Sequence, residues 1–197
     1  DTIVIGAYAF NGCRKLKKIN LSRINAIGIR AFQGCSLLTE VNVSTLRNSG
    51  REIFKDCTSL NKVTMNEHTK LSYAMFVNTG FTEIEVYGKV SIPEYCFANC
   101  HNLTKVTFKN SLEKIDTGAF SGCENLTEIV CGNGVTINEI GQQVFYNDSS
   151  LESVTLPNGN VALGAYAFYK CSSLKKVVFQ PKTKIASMGG SVLADTK

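Results

Sequence analysis

A unit of 21 to 25 residues recurs along this 197-residue chain, and that period constrains the fold more than any local feature. In each unit a phenylalanine is followed three residues later by a small residue, usually cysteine, and then by Leu-x-x-Val-x-Phe or a close variant. The phenylalanines that align the units are Phe10, Phe32, Phe54, Phe76, Phe97, Phe120, Phe145 and Phe168. The chain is therefore a repeat protein.

The second half of each unit predicts a short strand. Two apolar residues stand two positions apart, as Val106 and Phe108 do, and this period is typical of a strand that buries one face. A leucine precedes the pair in most units, but in the unit of Phe76 its place is taken by Phe81, one residue early. Stacked units would bring these strands into one parallel sheet.

The first half of each unit carries helix-start signals in several copies. Ser72 and Asp116 suit an N-cap, and Pro93 followed by Glu94 suits a first helical turn. Just before the cysteine position most units have Gly, Asn or Asp, the types that best tolerate a left-handed backbone. These residues are Gly12, Gly34, Asp56, Asn78, Asn99, Gly122, Asn147 and Lys170. We predict one or two helical turns, closed by a left-handed residue.

One unit cannot bury its apolar side alone, but stacked units would form a continuous core. About six buried apolar side chains per unit would contribute roughly 10 to 18 kcal/mol of gross burial energy before chain entropy is subtracted. We predict an α/β solenoid, with a short-stranded parallel sheet on one face, helical turns on the other and right-handed crossovers. Residues 1–197 would form a single array of about eight repeats. Ile185 lies five residues before a phenylalanine that does not follow, so we expect an excerpt of a longer array.

Six of the eight cysteines occupy the same position of the repeat. Stacked equivalent side chains run parallel, whereas a disulfide requires side chains that converge. We therefore predict a column of buried free thiols that act as small apolar residues. Cys96 and Cys100 are not followed by a second pair at zinc spacing, so we predict no metal site and no cofactor. Reduced thiols fit a cytosol or an anaerobic exterior better than an oxidising one.

Several functional classes are disfavoured by the sequence. The two histidines, His68 and His101, lie in different repeats, and no phosphate loop or nucleophile motif appears, so we predict that the chain is not an enzyme. The net charge is +5, but basic and acidic residues are interleaved, which disfavours nucleic acid. No stretch approaches the roughly 20 apolar residues of a membrane span, so we expect no membrane insertion within this chain.

The motif resembles that of a known family, the BspA-type leucine-rich repeats, over nearly the whole chain. That family alternates Leu-x-x-Val-x-Leu with Ile-x-x-x-Ala-Phe-x-x-Cys about every 23 residues. The Ala-Phe pair is kept at Ala9-Phe10, Ala31-Phe32, Ala119-Phe120 and Ala167-Phe168. The alanine is replaced by Ile53, Met75, Cys96 and Val144, and the proline that often follows the strand appears only as Pro157. The resemblance implies a leucine-rich-repeat solenoid, displayed on the surface of a bacterium or protist or secreted by it, and used for adhesion or protein contact.

The residue before the first buried strand position alternates in charge through six consecutive repeats. The column reads Lys18, Glu40, Lys62, Glu83, Lys105, Glu128, Ser153 and Lys176. Neighbours in a parallel sheet lie about 4.8 Å apart, so opposite charges would attract along the column. We interpret the alternation as a device for solubility and register, in which each exposed pair contributes about 0.2 to 1 kcal/mol.

The candidate binding residues are Glu83, Glu85, Tyr87, Lys105 and Lys109, all on outward positions of the predicted sheet. Tyr87 is the one residue there that resembles the aromatic anchors of tight interfaces, so a weak or multivalent contact is expected. We hypothesise non-catalytic recognition of a protein or cell-surface ligand through the sheet face. Two alternatives are a structural spacer that presents another domain and carbohydrate binding, which would require exposed aromatic platforms.

Overall fold

The structure is a computed structural model that describes residues 3–87 and 91–196. Its described residues form fourteen short strands: β1 (Ile3–Ile5), β2 (Ile24–Ile27), β3 (Glu40–Asn42), β4 (Asn48–Ser49), β5 (Lys62–Thr64), β6 (Glu83–Val86), β7 (Lys105–Phe108), β8 (Leu112–Ile115), β9 (Glu128–Cys131), β10 (Ile137–Ile140), β11 (Ser153–Leu156), β12 (Gly159–Leu163), β13 (Lys176–Phe179) and β14 (Thr183–Met188). Every strand pair is parallel. The chain is a parallel β-solenoid.

The strands line two sides of the solenoid. Those that follow each phenylalanine form the predicted sheet, in the orders β3-β5 and β6-β7-β9-β11-β13, and we call this side the sheet face. Those that precede each phenylalanine form a second sheet, in the orders β1-β2-β4 and β8-β10-β12-β14. This second sheet corrects the prediction of one strand per repeat: residues such as Ile115 and Ile140 lie in strands where a helical turn was predicted.

The predicted helical turns are wrong, since none of the residues in 3–87 and 91–196 forms a helix. In the turn around Phe97, alternate N–H groups donate to the next repeat: Tyr95 to Thr117 O (3.0 Å), Phe97 to Ala119 O (2.8 Å) and Asn99 to Ser121 O (2.8 Å). A helix would need those N–H groups for bonds within its own segment. Within the described ranges, no helix is long and apolar enough to cross a membrane.

The left-handed closing residues are confirmed at all eight predicted positions, with φ between 54° and 76°. A second left-handed residue, which was not predicted, stands two positions before each phenylalanine. Its occupants include Tyr8, Arg30, Glu52, Tyr95 and Tyr166, types that do not favour this conformation. Two left-handed residues four positions apart accompany the geometry in which alternate N–H groups of the turn point along the solenoid axis towards the next repeat.

The core is built around a column of stacked phenylalanines. From Phe10 to Phe168 successive ring centroids lie 5.0 to 5.6 Å apart, at interplanar angles of 3° to 14°. All eight cysteines are free, as predicted, and most are buried. Five of their thiols also donate to the phenylalanine carbonyl of the preceding repeat; in one, Cys123 Sγ lies 3.3 Å from Phe97 O. The thiol column is therefore a hydrogen-bonded element as well as packing.

A further turn follows β14. The N–H of Phe168 donates to Val192 O (2.9 Å), the bond that earlier phenylalanines make with the residue before the next phenylalanine. Leu193 therefore occupies the aromatic position, and Met188, which pairs with Leu163, lies five residues before it. The prediction that Ile185 occupies that position is wrong, because Ile185 lies three residues earlier in β14, opposite Val161.

Both sheets are interrupted at the repeat of Phe76. In the second sheet, the N–H of the residue four positions before a phenylalanine usually donates to the preceding repeat. In the repeat of Phe97 that residue is Pro93, which has no N–H to donate to the repeat that contains Leu71. In the sheet face, the bend before β6 is one residue short, and Phe81 packs edge-on against Phe76 with centroids 5.4 Å apart. The turn column continues through this repeat: Phe76 N–H donates to Cys96 O (2.8 Å).

Candidate recognition surface

The candidate binding residues lie together on neighbouring strands of the sheet face. In β6 and β7, Glu83 stands opposite Lys105 and Glu85 opposite Thr107. Ile84 and Val86 alternate with the glutamates and enter the core, so both carboxylates face solvent. Strand alternation thus places the predicted charges on the outer face.

Glu85 is the centre of a hydrogen-bonded group formed with Tyr87 and Lys109. Lys109 Nζ lies 2.7 Å from one Glu85 carboxylate oxygen, and the Tyr87 hydroxyl donates to the other at 2.7 Å. The bonds from Lys109 and then Tyr87 lower the pKa of Glu85, while the same carboxylate raises the pKa of Lys109 and of Tyr87. The ring of Tyr87 packs against the core, so this group holds its hydroxyl in a fixed position.

Lys105 belongs to a different pair. Its Nζ lies 2.9 Å from a carboxylate oxygen of Glu128 on β9, and this bond raises the pKa of Lys105. Glu83 raises the pKa of Lys105 only through a longer-range charge attraction. The structure therefore brings three of the five candidates into direct contact, and places Lys105 and Glu83 beside them in the same charged column.

The charged column is continuous on either side of the interruption. Glu40 pairs with Lys18 at 3.1 Å and with Lys62 at 3.9 Å, and the bond with Lys18 lowers the pKa of Glu40. Lys62 and Glu83 are consecutive in the column, but β5 and β6 do not pair within the described residues. The sheet face thus presents a basic strand edge and an acidic strand edge on opposite sides of a gap.

Two backbone bonds that join other repeats do not form at this gap. Lys109 N–H donates to Val86 O (3.0 Å) and Thr104 N–H to Thr82 O (2.8 Å). The equivalent bonds would join Tyr87 N–H to Met65 O and Thr82 N–H to Asn61 O, and neither is made among the described residues. A strand edge with unpaired backbone groups is a template for another chain.

A cleft of about 300 Å³ lies between β5 and β6. It is lined by Asn61, Lys62, Val63, Thr64, Met65, Glu83, Ile84, Glu85 and Tyr87. Its floor is apolar, since Met65 and Ile84 belong to the core, and its walls are charged. The cleft, with the group around Glu85 at its edge, is the candidate recognition surface.

No constellation of catalytic residues coincides with this surface. His68 lies beside Glu67, with 3.6 Å between the ring and the carboxylate, and His101 is exposed in another repeat. Within residues 3–87 and 91–196, no group of three or more His, Cys, Asp or Glu side chains is placed to hold a metal ion.

Two polar sites were not predicted from the sequence. Glu52 is buried at a left-handed turn position, where it accepts from Arg30 Nε at 2.6 Å and from Lys55 Nζ at 3.0 Å. Burial opposes ionisation of Glu52, but the bonds from Arg30 and Lys55 outweigh it and lower its pKa. Asp148 occupies the cysteine position and is fully buried, which raises its pKa. The repeat pattern places Asp148 at the cysteine position, but it does not predict the buried carboxylate oxygen that has no partner among the described residues.

Comparisons with known proteins agree with the repeat architecture. The sequence matches the profile described as the BspA type leucine rich repeat region, in six copies, over residues 1–91 and 90–197. No curated protein sequence matches the chain significantly.

Solved structures share the fold. A T. pallidum leucine rich repeat protein is 24% identical to this chain, with a TM-score of 0.54. The match covers 96% of this chain and 78% of the T. pallidum chain. A leucine rich cell surface protein from Faecalibacterium prausnitzii is 19% identical to this chain, with a TM-score of 0.51. The match covers 90% of this chain and 69% of the F. prausnitzii chain. Since the family profile covers both halves of the sequence and the solenoid repeats its motif throughout, the chain belongs to the BspA-type leucine-rich repeat family.

Proposed function

We propose that this chain is a non-catalytic recognition module of the adhesion type, which binds a protein displayed on a cell surface through the sheet face. The observation that carries the proposal is the cleft between β5 and β6, where unpaired strand edges, an apolar floor and the fixed Tyr87 hydroxyl meet. A partner side chain could bury itself there while its backbone bonds an open strand edge.

The charges on this surface suit a protein partner better than a nucleic acid. Lys62, Glu83 and Lys105 follow one another along the column, and a phosphate backbone requires one sign of charge. Ion pairs such as Glu85 with Lys109 already neutralise one another, so each contact with a partner would be weak. A single array that spans residues 1–197 would gain useful affinity by adding such contacts along its length.

We propose display on the cell surface or secretion as the location. The F. prausnitzii protein of similar fold is described as a cell surface protein, and family membership supports the same placement here. Free thiols that are buried and hydrogen-bonded are protected from oxidation, which makes an exterior location compatible with the thiol column.

The test measures binding of the fluorescently labelled chain to a panel of eukaryotic and bacterial cells by flow cytometry. The sheet-face variant combines Glu83→Lys, Glu85→Lys and Lys109→Glu, and Tyr87→Ala is measured separately. A matched control makes the same charge changes on the second sheet, with Glu113→Lys, Glu139→Lys and Lys184→Glu. Thermal unfolding is followed for every variant.

We expect the wild type and the control to bind, and both sheet-face variants to lose most binding while still unfolding cooperatively. Treating the cells with protease should remove the binding if the ligand is a protein. Undiminished binding by the sheet-face variants would exclude this surface. Failure of the wild type to bind any cell would favour a structural spacer.

A further inference from the structure

Three tyrosines cluster on the turns that join the second sheet to the sheet face, outside the proposed recognition surface. Tyr146 and Tyr169 each follow a core phenylalanine by one residue, and their rings stack with centroids 5.5 Å apart at 18°. Tyr166 meets Tyr169 edge-on, with centroids 5.4 Å apart at 85°. We call these three residues the tyrosine shelf.

The shelf is open to solvent. Tyr166 is 43% exposed, and Tyr146 and Tyr169 are half-buried. The residues at the position of the stacked pair in the adjacent repeats are Ser121 and Ala194, which are too small to cover the outer ring faces. Exposed apolar surface that is concentrated in one place on a protein marks a binding site more often than scattered exposure does.

A donor and an acceptor stand beside the rings. Lys170 Nζ lies 5.6 Å from the centroid of Tyr169 and 5.9 Å from that of Tyr146. Asp195 stands in the next turn, where Lys170 N–H donates to Ala194 O (3.2 Å), and its carboxylate raises the pKa of the Tyr169 phenol. Lys170 is left-handed (φ 61°) at a position where the other repeats have Gly, Asn or Asp.

We propose that the tyrosine shelf binds a pyranose ring of a glycan. One face of such a ring carries C–H groups that pack against the electron-rich face of an aromatic ring. Its hydroxyls both donate and accept, so they match the ammonium of Lys170 and the carboxylate of Asp195. A quaternary ammonium ligand fits less well, since Lys170 already occupies the cation position over two of the rings. This site and its ligand are independent of the sheet face.

The test is saturation-transfer NMR on the full chain with methyl α-D-mannopyranoside, lactose and cellobiose as separate probes. We expect transfer to the ring C–H protons of at least one sugar. Tyr166→Ala should weaken its affinity by about threefold to tenfold, the effect of removing one aromatic contact. Lys170→Asn, which restores the residue type of the column, should also weaken it.

The matched control is Tyr8→Ala. Tyr8 occupies the same repeat position as Tyr166, with φ 58° against 59°, and is 54% exposed. Among the described residues it has no stacked aromatic partner. The control and the sheet-face triple variant should both bind sugar like the wild type. An absence of transfer from all three sugars, or equal affinity in wild type and Tyr166→Ala, would overturn the proposal.

Discussion

Replacing Asp148 by asparagine should stabilise the protein at neutral pH. One carboxylate oxygen of Asp148 accepts from Cys123 N–H at 2.8 Å, but the other is buried and has no partner in the described structure. In the next repeat Cys171 Sγ donates to Phe145 O at 3.1 Å. The equivalent acceptor for residue 148 is Phe120 O, which accepts a longer bond from Cys123 N–H (3.3 Å) and to which an ionised carboxylate cannot donate.

The sign and size of the effect follow from that geometry. Burial raises the pKa of Asp148 above its unfolded value of about 3.9, and the negative charge of Glu124 adds to the shift. The free energy of unfolding therefore falls as the pH rises from about 3.9 towards the folded pKa, by at most about 1.4 kcal/mol per pH unit. An unsatisfied buried polar group costs about 1 to 3 kcal/mol, so Asp148→Asn should gain about that much near pH 7.

Urea unfolding followed by circular dichroism measures this difference for wild type and Asp148→Asn between about pH 4 and pH 8. Other titrating groups are common to both proteins, so the difference isolates residue 148. We expect it to approach zero near pH 4, where the wild-type acid is protonated and can donate. A variant that is less stable than wild type at neutral pH would show that the carboxylate is ionised and has a partner, and would refute this reasoning.

Three further predictions address the turns and the thiols. Glu52→Gln should destabilise the fold by about 1 to 2 kcal/mol near pH 7. Because the folded pKa of Glu52 is lowered, that loss should vanish as the pH falls through the acid range, and a pH-independent difference in urea midpoint would contradict this. Gly80→Ala should cost about 1 to 3 kcal/mol, since the new Cβ would lie 2.4 Å from Thr58 O, whereas Gly6→Ala, with nothing within 4 Å, should be neutral; equal melting temperatures would contradict it. Without reductant, Ellman's reagent should find one fast thiol in the folded chain, the exposed Cys13, and all eight after denaturation; fewer than eight would indicate disulfides.

The repeat pattern was enough to predict the sheet face, the phenylalanine core, the free thiols and the left-handed closing residues. Each of these depends on a residue type that recurs at a fixed position and has one dominant physical role. The second sheet was missed because a strand of three or four residues such as Leu112–Ile115 carries only two inward side chains. Ser72, Asp116 and Pro93 suit a helix start equally well, and only the bonds between repeats decide against a helix.

The candidate residues were predicted from strand alternation, but the cleft beside them was not. It accompanies a single missing residue between Thr79 and Phe81, which was visible as a departure from the period, while Pro93 in the following repeat interrupts the second sheet. Their combined effect on two sheets depends on packing across repeats. The tyrosine shelf was not predicted because it lies outside the outward columns of the predicted sheet, although Tyr146 and Tyr169 share one repeat position.

The most direct test of recognition through the sheet face blocks that face without changing its charges. In a background that carries Cys13→Ser and Cys131→Ser, Thr107→Cys places a single accessible thiol opposite Glu85 on the sheet face, and Asn138→Cys places one on the second sheet. Each is coupled to a maleimide-linked polyethylene glycol, and binding to cells is measured by flow cytometry. We predict that the polymer at residue 107 abolishes binding and that the polymer at residue 138 leaves it unchanged. Full binding with the polymer at residue 107 would contradict the account.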